Sequence, residues 1–363
     1  MATGNAVMDA RDARRTDPPS PGIRRPMGLH DLKRVLGLAH SILRKRPFSL
    51  LIQVTNRCNM RCSFCEFWSN GARPEKELTL EDFTRLEAEL AAVGPFVISI
   101  EGGEPFVRKD IVEIVRLLSR RHVTVLYTNG WYITPDNARQ LFEAGLTQVG
   151  VSIDFPDAAD HDAKRCLEGT TERAWRAVDL LRDAAPAGGR QVHVMSILME
   201  ETRPGLPRML EMSAEHGVGH YITLLATKGT RRGEGGSWPE GGVSEELVGL
   251  WKAHPHFRVF RDYLTLMDDF LGQTGAMPTC RAGTQSFNID HLGNVAACIE
   301  KIGEPVGNVR EAPLAELLPR LRQVEGIGTC QDCWTLCRGI NQLLGDGGNM
   351  TSWWDFSTRM RSR

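Results

Sequence analysis

The 363-residue sequence predicts an α/β fold built on a parallel sheet, followed by a smaller cysteine-rich region. The first observation behind this is an alternation. Six β-rich runs, at residues 50–54, 96–100, 123–128, 148–153, 192–198 and 221–225, are separated by helical patterns near 79–92, 108–119, 135–144, 172–184 and 204–216. Repeats of this kind give parallel pairing with right-handed crossovers, in a sheet either doubly wound or curled into a partial barrel. The second observation is the clustering of cysteines in residues 58–65 and 280–337. In either closure the chemistry of a parallel sheet belongs at the C-terminal strand ends, and the first cysteine cluster falls there.

Taken in chain order, residues 1–27 are rich in Arg, Asp and Pro and read as a disordered N-terminal arm. Residues 28–47 form an amphipathic helix pattern, with Leu32, Val35, Leu36, Ala39, Ile42 and Leu43 on one stripe and Lys33, Arg34 and Arg44 to Arg46 near it. Such a helix packs against the main domain, or, being basic, touches a membrane surface or a partner. Residues 48–226 hold the β/α alternation. A Gly-rich stretch at 226–243 reads as a mobile loop or linker containing a domain boundary. The segment 227–275 continues with helices near 244–254 and 261–271, a cysteine-bearing region spans 276–340, and a tail at 341–363 contains Trp353 and Trp354.

Forty-four basic against 45 acidic residues give a formal charge of −1, so no bulk field argues for nucleic acid or a membrane as partner. The start of the chain lacks the apolar core of a signal peptide, and no apolar run is long enough to span a bilayer, so a cytoplasmic location is expected. Nine cysteines in such a compartment call for metal or catalysis rather than disulfides. Cys58, Cys62 and Cys65 fall together, as do Cys330, Cys333 and Cys337. Cys280 and Cys298 flank a hairpin pattern, and Cys166 stands alone as a packed small residue.

The run Cys58-Asn-Met-Arg-Cys62-Ser-Phe64-Cys65 follows the first β-rich run directly. Three thiols cannot complete a four-thiolate shell, and a cubane held by three leaves one iron open. A zinc site would need a nearby fourth Cys or His, and this loop has none. The second run ends Glu101-Gly102-Gly103-Glu104-Pro105, placing two glycines and a carboxylate opposite the cysteine loop. The glycines allow close backbone approach to a ligand, and Glu104 can accept a bond from a cationic amine.

Together these motifs resemble the radical SAM (S-adenosylmethionine) superfamily. The resemblance implies a [4Fe–4S] cluster on Cys58, Cys62 and Cys65 whose open iron is chelated by the amino and carboxylate groups of SAM. Phe64 would lie against the adenine, and the Gly102-Gly103-Glu104-Pro105 motif would bind the methionyl amino group. An electron from the reduced cluster, delivered by a donor such as flavodoxin or ferredoxin, would split SAM to a 5′-deoxyadenosyl radical that takes a hydrogen atom from substrate. Asn129, at the end of the third run, and Ser152 and Asp154, at the end of the fourth, stand where the family places polar contacts to SAM. They are also ordinary turn and cap residues.

Cys280, twelve further residues, Gly293, four more and Cys298 closely resemble the hairpin of SPASM and twitch auxiliary-cluster domains. With Cys330 and Cys333, spaced like the twitch pair, they would supply four thiolates for an auxiliary [4Fe–4S] cluster. Cys337 is a spare thiol or replaces one of them, and a structural Cys₄ zinc is the competing reading. Five cysteines cannot ligate two cubanes, so one cluster is expected. The fold expected is therefore a partial (β/α)6 TIM-type barrel with a small C-terminal twitch/SPASM-like domain. The function expected is a radical enzyme acting on a small molecule or a peptide, in natural-product, cofactor or peptide maturation. About 47 residues before the first run, too few for a leader-peptide-binding domain, favour a small molecule. The alternative is a noncatalytic iron–sulfur or zinc electron-transfer module.

Overall fold

Helix α1 (Leu29–Leu43) leads into β1 (Ser49–Thr55), and a regular alternation follows: α2 (Leu80–Val93), β2 (Val97–Gly102), α3 (Ile111–Leu118), β3 (Val123–Thr128), α4 (Pro135–Glu143), β4 (Gln148–Ser152), α5 (Ala158–Arg165), α6 (Thr170–Ala184), β5 (Gln191–Leu198), α7 (Leu206–Glu215) and β6 (Gly219–Leu224). Beyond it come α8 (Val243–Ala253), α9 (Arg261–Thr265), α10 (Met267–Gly272), β7 (Ser286–Ile289), β8 (Asn294–Ala296), β9 (Gly307–Asn308), α11 (Leu314–Leu321) and α12 (Leu336–Gly345). These come from a computed structural model, which describes residues 29–69, 71, 73–186, 191–229, 232–275, 277–345, 352, 354 and 355. The expected arm at 1–27 and Trp353 lie outside the described residues.

The strand order is β6-β5-β4-β3-β2-β1-β7-β8-β9. Strands β1 to β6 follow one another in a single direction and pair in parallel. A doubly wound sheet reverses its order between its β/α units, and strands β1 to β6 do not. Right-handed crossovers that always advance the same way put their helices on one face, as in a barrel wall. Accordingly Ile52, Ile100, Leu126, Val149 and Val194 share one apolar core with Leu86, Leu90, Ile114, Leu141 and Val178 of the helices. The opposite face lines the lumen.

The cysteine-rich region is continuous with this sheet. Strand β7 pairs in parallel with β1, Ser49 to Ser286 through Ile52 to Ile289, and the β7–β8 hairpin turns antiparallel at Gly293, whose φ is +90°. The expected hairpin is present, extending the barrel sheet past β1. A second apolar cluster, containing Tyr221, Phe257, Tyr263, Trp334 and Leu344, packs α8 to α10 and α12 against β6.

Helix α1 docks on the barrel: Arg34 Nη1 donates to the His122 carbonyl at 3.1 Å, and Gly37 leaves room for Pro95. Val35, Leu36 and Leu43 of its apolar stripe remain exposed. No described helix is long and apolar enough to cross a membrane.

Candidate functional site

Loop geometry at the C-terminal ends of β1 and β2 is set by two glycines. Gly102 has φ +141°, and a Cβ there would stand 2.2 Å from the Thr55 carbonyl. A Cβ on Gly103 would stand 2.2 Å from the Arg57 carbonyl and 2.8 Å from that of Asn56. The close approach seen here is to the backbone of the cysteine loop. Two hydrogen bonds use the proximity: Gly103 N–H to Thr55 O and Glu104 N–H to Arg57 O, both 2.8 Å. Glu77 holds the same loop from below through Arg57, at 2.9 Å.

Glu104 is fully buried. Its carboxylate accepts from Thr128 Oγ1 at 2.8 Å, Asn129 N–H at 2.7 Å and Phe106 N–H at 3.1 Å. Burial pushes its pKa up to about 7, against those three donors. This carboxylate ties β2 to β3. Pro105 opens the short helical turn after it. Asn129 continues the chain of contacts, its Nδ2 donating to Asn59 Oδ1 of the cysteine loop at 2.9 Å. Three strand ends are thus locked around Cys58, Cys62 and Cys65.

Cys62 is buried, whereas Cys58 and Cys65 are half-buried. They pack with Met60, Phe64, Met199, Leu225, Trp131 and Trp238 in an apolar cluster over the lumen mouth. Met60 N–H donates to Cys58 Sγ at 3.4 Å, while burial pushes the Cys58 thiol up to about 12. Arg165, which sequence reasoning missed, stands beside them. Its guanidinium donates to Cys62 Sγ at 3.9 Å, lies 5.2 Å over the Phe64 ring and pairs with Asp154. The Asp154 carboxylate also accepts from Ile197 N–H at 2.9 Å and is 1% exposed. Ser152 is half-buried at the end of β4.

The Gly-rich stretch expected to be a mobile linker instead packs on the cysteine loop. Arg232 forms a β-bridge with Cys65, and Gly233 and Gly235 N–H groups donate to Phe64 and Ser63 carbonyls at 3.2 and 3.1 Å. A Cβ on Gly233 would stand 2.5 Å from Ser63 O. The Arg232 side chain forms a mostly buried ion pair with Glu300.

Glu300 belongs to a second centre. A partly open cavity is lined by Cys280, Cys298, Cys333 and Cys337, together with Leu51 of β1 and Glu300. Glu300 N–H donates to Cys298 Sγ at 3.4 Å, and the Thr335 hydroxyl lies 3.0 Å from Cys337 Sγ. Burial pushes the Cys337 thiol up to about 12, and those of Cys280, Cys298 and Cys333 upward as well. Cys330 is not part of the lining. Its thiol lies 3.6 Å from Asp332 Oδ2, although it stands within electrostatic reach of Cys280. Cys166 is exposed at the left-handed end of α5, not packed as its sequence suggested.

The family model described as the radical SAM superfamily matches residues 52–212. The chain is 30% identical over 311 residues to the mycofactocin maturase MftC of Mycobacterium tuberculosis, covering 81% of this chain and 78% of that protein. It is 25% identical over 309 residues to the AdoMet-dependent heme synthase of Nitratidesulfovibrio vulgaris, covering 77% and 83%. In fold it is similar to Streptococcus suis SuiB bound to its precursor peptide SuiA, with a TM-score of 0.58 at 15% identity over 91% of this chain and 78% of that one. With strand ends, cysteine loop and relatives in agreement, the chain belongs to the radical SAM superfamily, enzymes that perform SAM-dependent radical chemistry with a [4Fe–4S] cluster.

Proposed function

We propose that Cys58, Cys62 and Cys65 hold the SAM-binding cluster, that Cys280, Cys298, Cys333 and Cys337 hold an auxiliary [4Fe–4S] cluster, and that the enzyme modifies a peptide or small molecule in the lumen between them. When bound, the first cluster would pass one electron to SAM, whose C–S bond would break to methionine and a 5′-deoxyadenosyl radical able to take a hydrogen atom from the substrate. The donor sets suit both groups. Three thiols leave one iron open for SAM, and four close the second cluster, suiting it to electron transfer. The observation that carries the reading is the interlock of the cysteine loop with Gly102 and Gly103, which leaves three thiols in one loop beside a cation, Arg165.

In this reading the Gly102 to Pro105 loop receives the methionyl amine of SAM, with Glu104 fixing the loop. Arg165 balances the negative charge of cluster and carboxylate. Phe64 backs the adenine, and Asn129 and Ser152 offer polar contacts. Residues 48–226 form the core, and 276–340 carry the second cluster as an extension of its sheet. The assignment of Cys337 in place of Cys330 rests on the cavity lining. A peptide substrate draws support from the mycofactocin maturase and from SuiB with its precursor peptide, and a small molecule from the heme synthase. A flavodoxin or ferredoxin supplies the electron.

Anaerobic incubation of the reconstituted protein with SAM and dithionite tests this. Wild type should release 5′-deoxyadenosine and hold about eight irons, and the Cys58/Cys62/Cys65→Ala variant should release none and hold about four. Cys337→Ala should lose the auxiliary iron and Cys330→Ala should keep it. SAM cleavage by the triple variant, or about four irons with one zinc in wild type, overturns the corresponding centre.

A further inference from the structure

We propose that Gln53 and His193 are the two recognition points of a substrate subsite in the barrel lumen, which takes a ligand whose uncharged groups both donate and accept hydrogen bonds. This rests on the reading of the lumen as the substrate chamber.

Neighbours on the apolar face, Ile52 and Ile100 on one side and Val149 and Val194 on the other, point to the helices. Gln53 and His193 therefore point to the lumen. Sheet register puts them on one row: Gln53 beside Glu101, and Tyr127 beside Gly150 beside His193. Gln53 is fully buried and His193 is 1% exposed. Neither end of the Gln53 amide and neither nitrogen of His193 has a hydrogen-bond partner among the described residues. Leaving such groups unpaired costs about 1–3 kcal/mol each, so a site built this way is completed by something it binds.

Position defines what fits. Leu51, two residues before Gln53 on the same face, lines the auxiliary cavity, and Cys58 lies just beyond the end of the same strand. Gln53 thus stands between the two centres. At the other end, Tyr127 and Tyr221 rings meet His193 edge-on at centroid distances of 6.0 and 4.4 Å. Gly150 lets both His193 and Tyr127 pack onto the β4 backbone, because a Cβ there would stand 2.7 Å from His193 Nε2 and from the Tyr127 ring. The Glu101 carboxylate flanks the row at the Gln53 end, and Arg258, packed against Gly219 beside His193, flanks it at the other. Both charged groups have interactions of their own, so the neutral Gln53 and His193 set what fits.

Burial, with Arg258 assisting, pushes the His193 pKa down to about 3, so its ring offers one donor and one acceptor. The Gln53 amide offers the same pair. Four strand spacings of about 4.8 Å separate the two side chains along the sheet, too far for one small group to serve both. The ligand therefore carries at least two neutral donor–acceptor groups. Peptide amides and polyol hydroxyls both supply this chemistry.

Saturation-transfer NMR on the anaerobically reconstituted protein separates these sources, with N-acetylglycinamide and myo-inositol as neutral probes and acetate and methylammonium as charged ones. At least one neutral probe should give a signal, and the one that does identifies the source. Gln53→Leu and His193→Phe should each weaken it about five- to tenfold, the loss of one or two hydrogen bonds. His193→Gln, which keeps a neutral donor and acceptor, should retain most of it. Melting temperature and iron content establish that each variant is folded and loaded. Silence from both neutral probes, equal signals from the charged ones, or an unchanged signal in both the Leu and Phe variants would overturn the subsite. None of these outcomes depends on SAM cleavage, so the subsite can fail while the radical SAM reading stands.

Discussion

A single hydrogen atom at Gly103 decides whether the cysteine loop can sit where it does. Replacing it by a methyl group drives that group to 2.2 Å from the Arg57 carbonyl, well inside van der Waals contact, and only movement of the loop relieves it. Gly103→Ala should therefore bring the iron content from about eight to about four per chain, with SAM affinity falling as a consequence. A variant with full iron and weakened SAM binding would show that the glycine clears a ligand instead. Arg165 and Asp154 make a second residue-scale case. Arg165→Met strands a carboxylate that is 1% exposed, a loss of about 3–5 kcal/mol, and Arg165→Met with Asp154→Asn together should cost less than that single change. Equal or additive losses by urea titration would exclude the coupling. The cysteines and Gly102-Gly103-Glu104 were legible in the sequence because their chemistry needs fixed short spacings. Arg165 was not, because its neighbours Cys62, Phe64 and Asp154 come from other elements and only folding brings them together.

Strands and helices of the barrel were legible within a few residues, since each carries its own apolar pattern and its own stop signals. Helix α5 escaped because Ala158–Arg165 has no apolar side chain larger than alanine. It is fixed by the Asp157 cap, which accepts from Ala159 and Asp160 N–H, and by burial of His161 and Arg165. The partners of β7 were equally hidden, because strand neighbours are a property of the sheet and not of the run. The cysteine-rich region shares the barrel's sheet, with β1 between β2 and β7. Removing residues after 275 should consequently strip β1 of one partner and expose a parallel edge strand. The truncated chain should aggregate or lose its cooperative thermal transition. A soluble, cooperatively melting 1–275 fragment would show that the barrel does not need β7.

For the molecule as a whole, near-neutral composition leaves long-range charge with little to do, so its pH response falls to buried groups. Burial pushes His122 and His161 down to about 4, and His193 and His220 down to about 3. An unfolded chain protonates these rings near pH 6.5, while the folded one keeps them neutral. Below pH 6.5 the unfolded state therefore binds more protons, and stability is lost as pH falls toward 4, by at most about 1.4 kcal/mol per pH unit for each ring. Glu104 works the other way. Its raised pKa makes the folded state the better proton binder between its unfolded value and about 7, so it gains stability on acidification. Four rings against one carboxyl leave a net loss. His122 isolates the effect, being fully buried, far along the chain from the cysteines, and bonded through Nδ1 to Phe96 N–H at 3.2 Å. Asparagine at this position can keep an acceptor for that N–H and does not titrate. Urea unfolding of wild type and His122→Asn at pH 7, 6 and 5 should show the variant less stable at pH 7 but losing less on acidification. The gap should narrow by up to about 1.4 kcal/mol per unit below pH 6.5. Acid loss of iron affects both proteins alike and cancels in the comparison. Parallel pH profiles would mean that His122 is not held neutral in the folded protein.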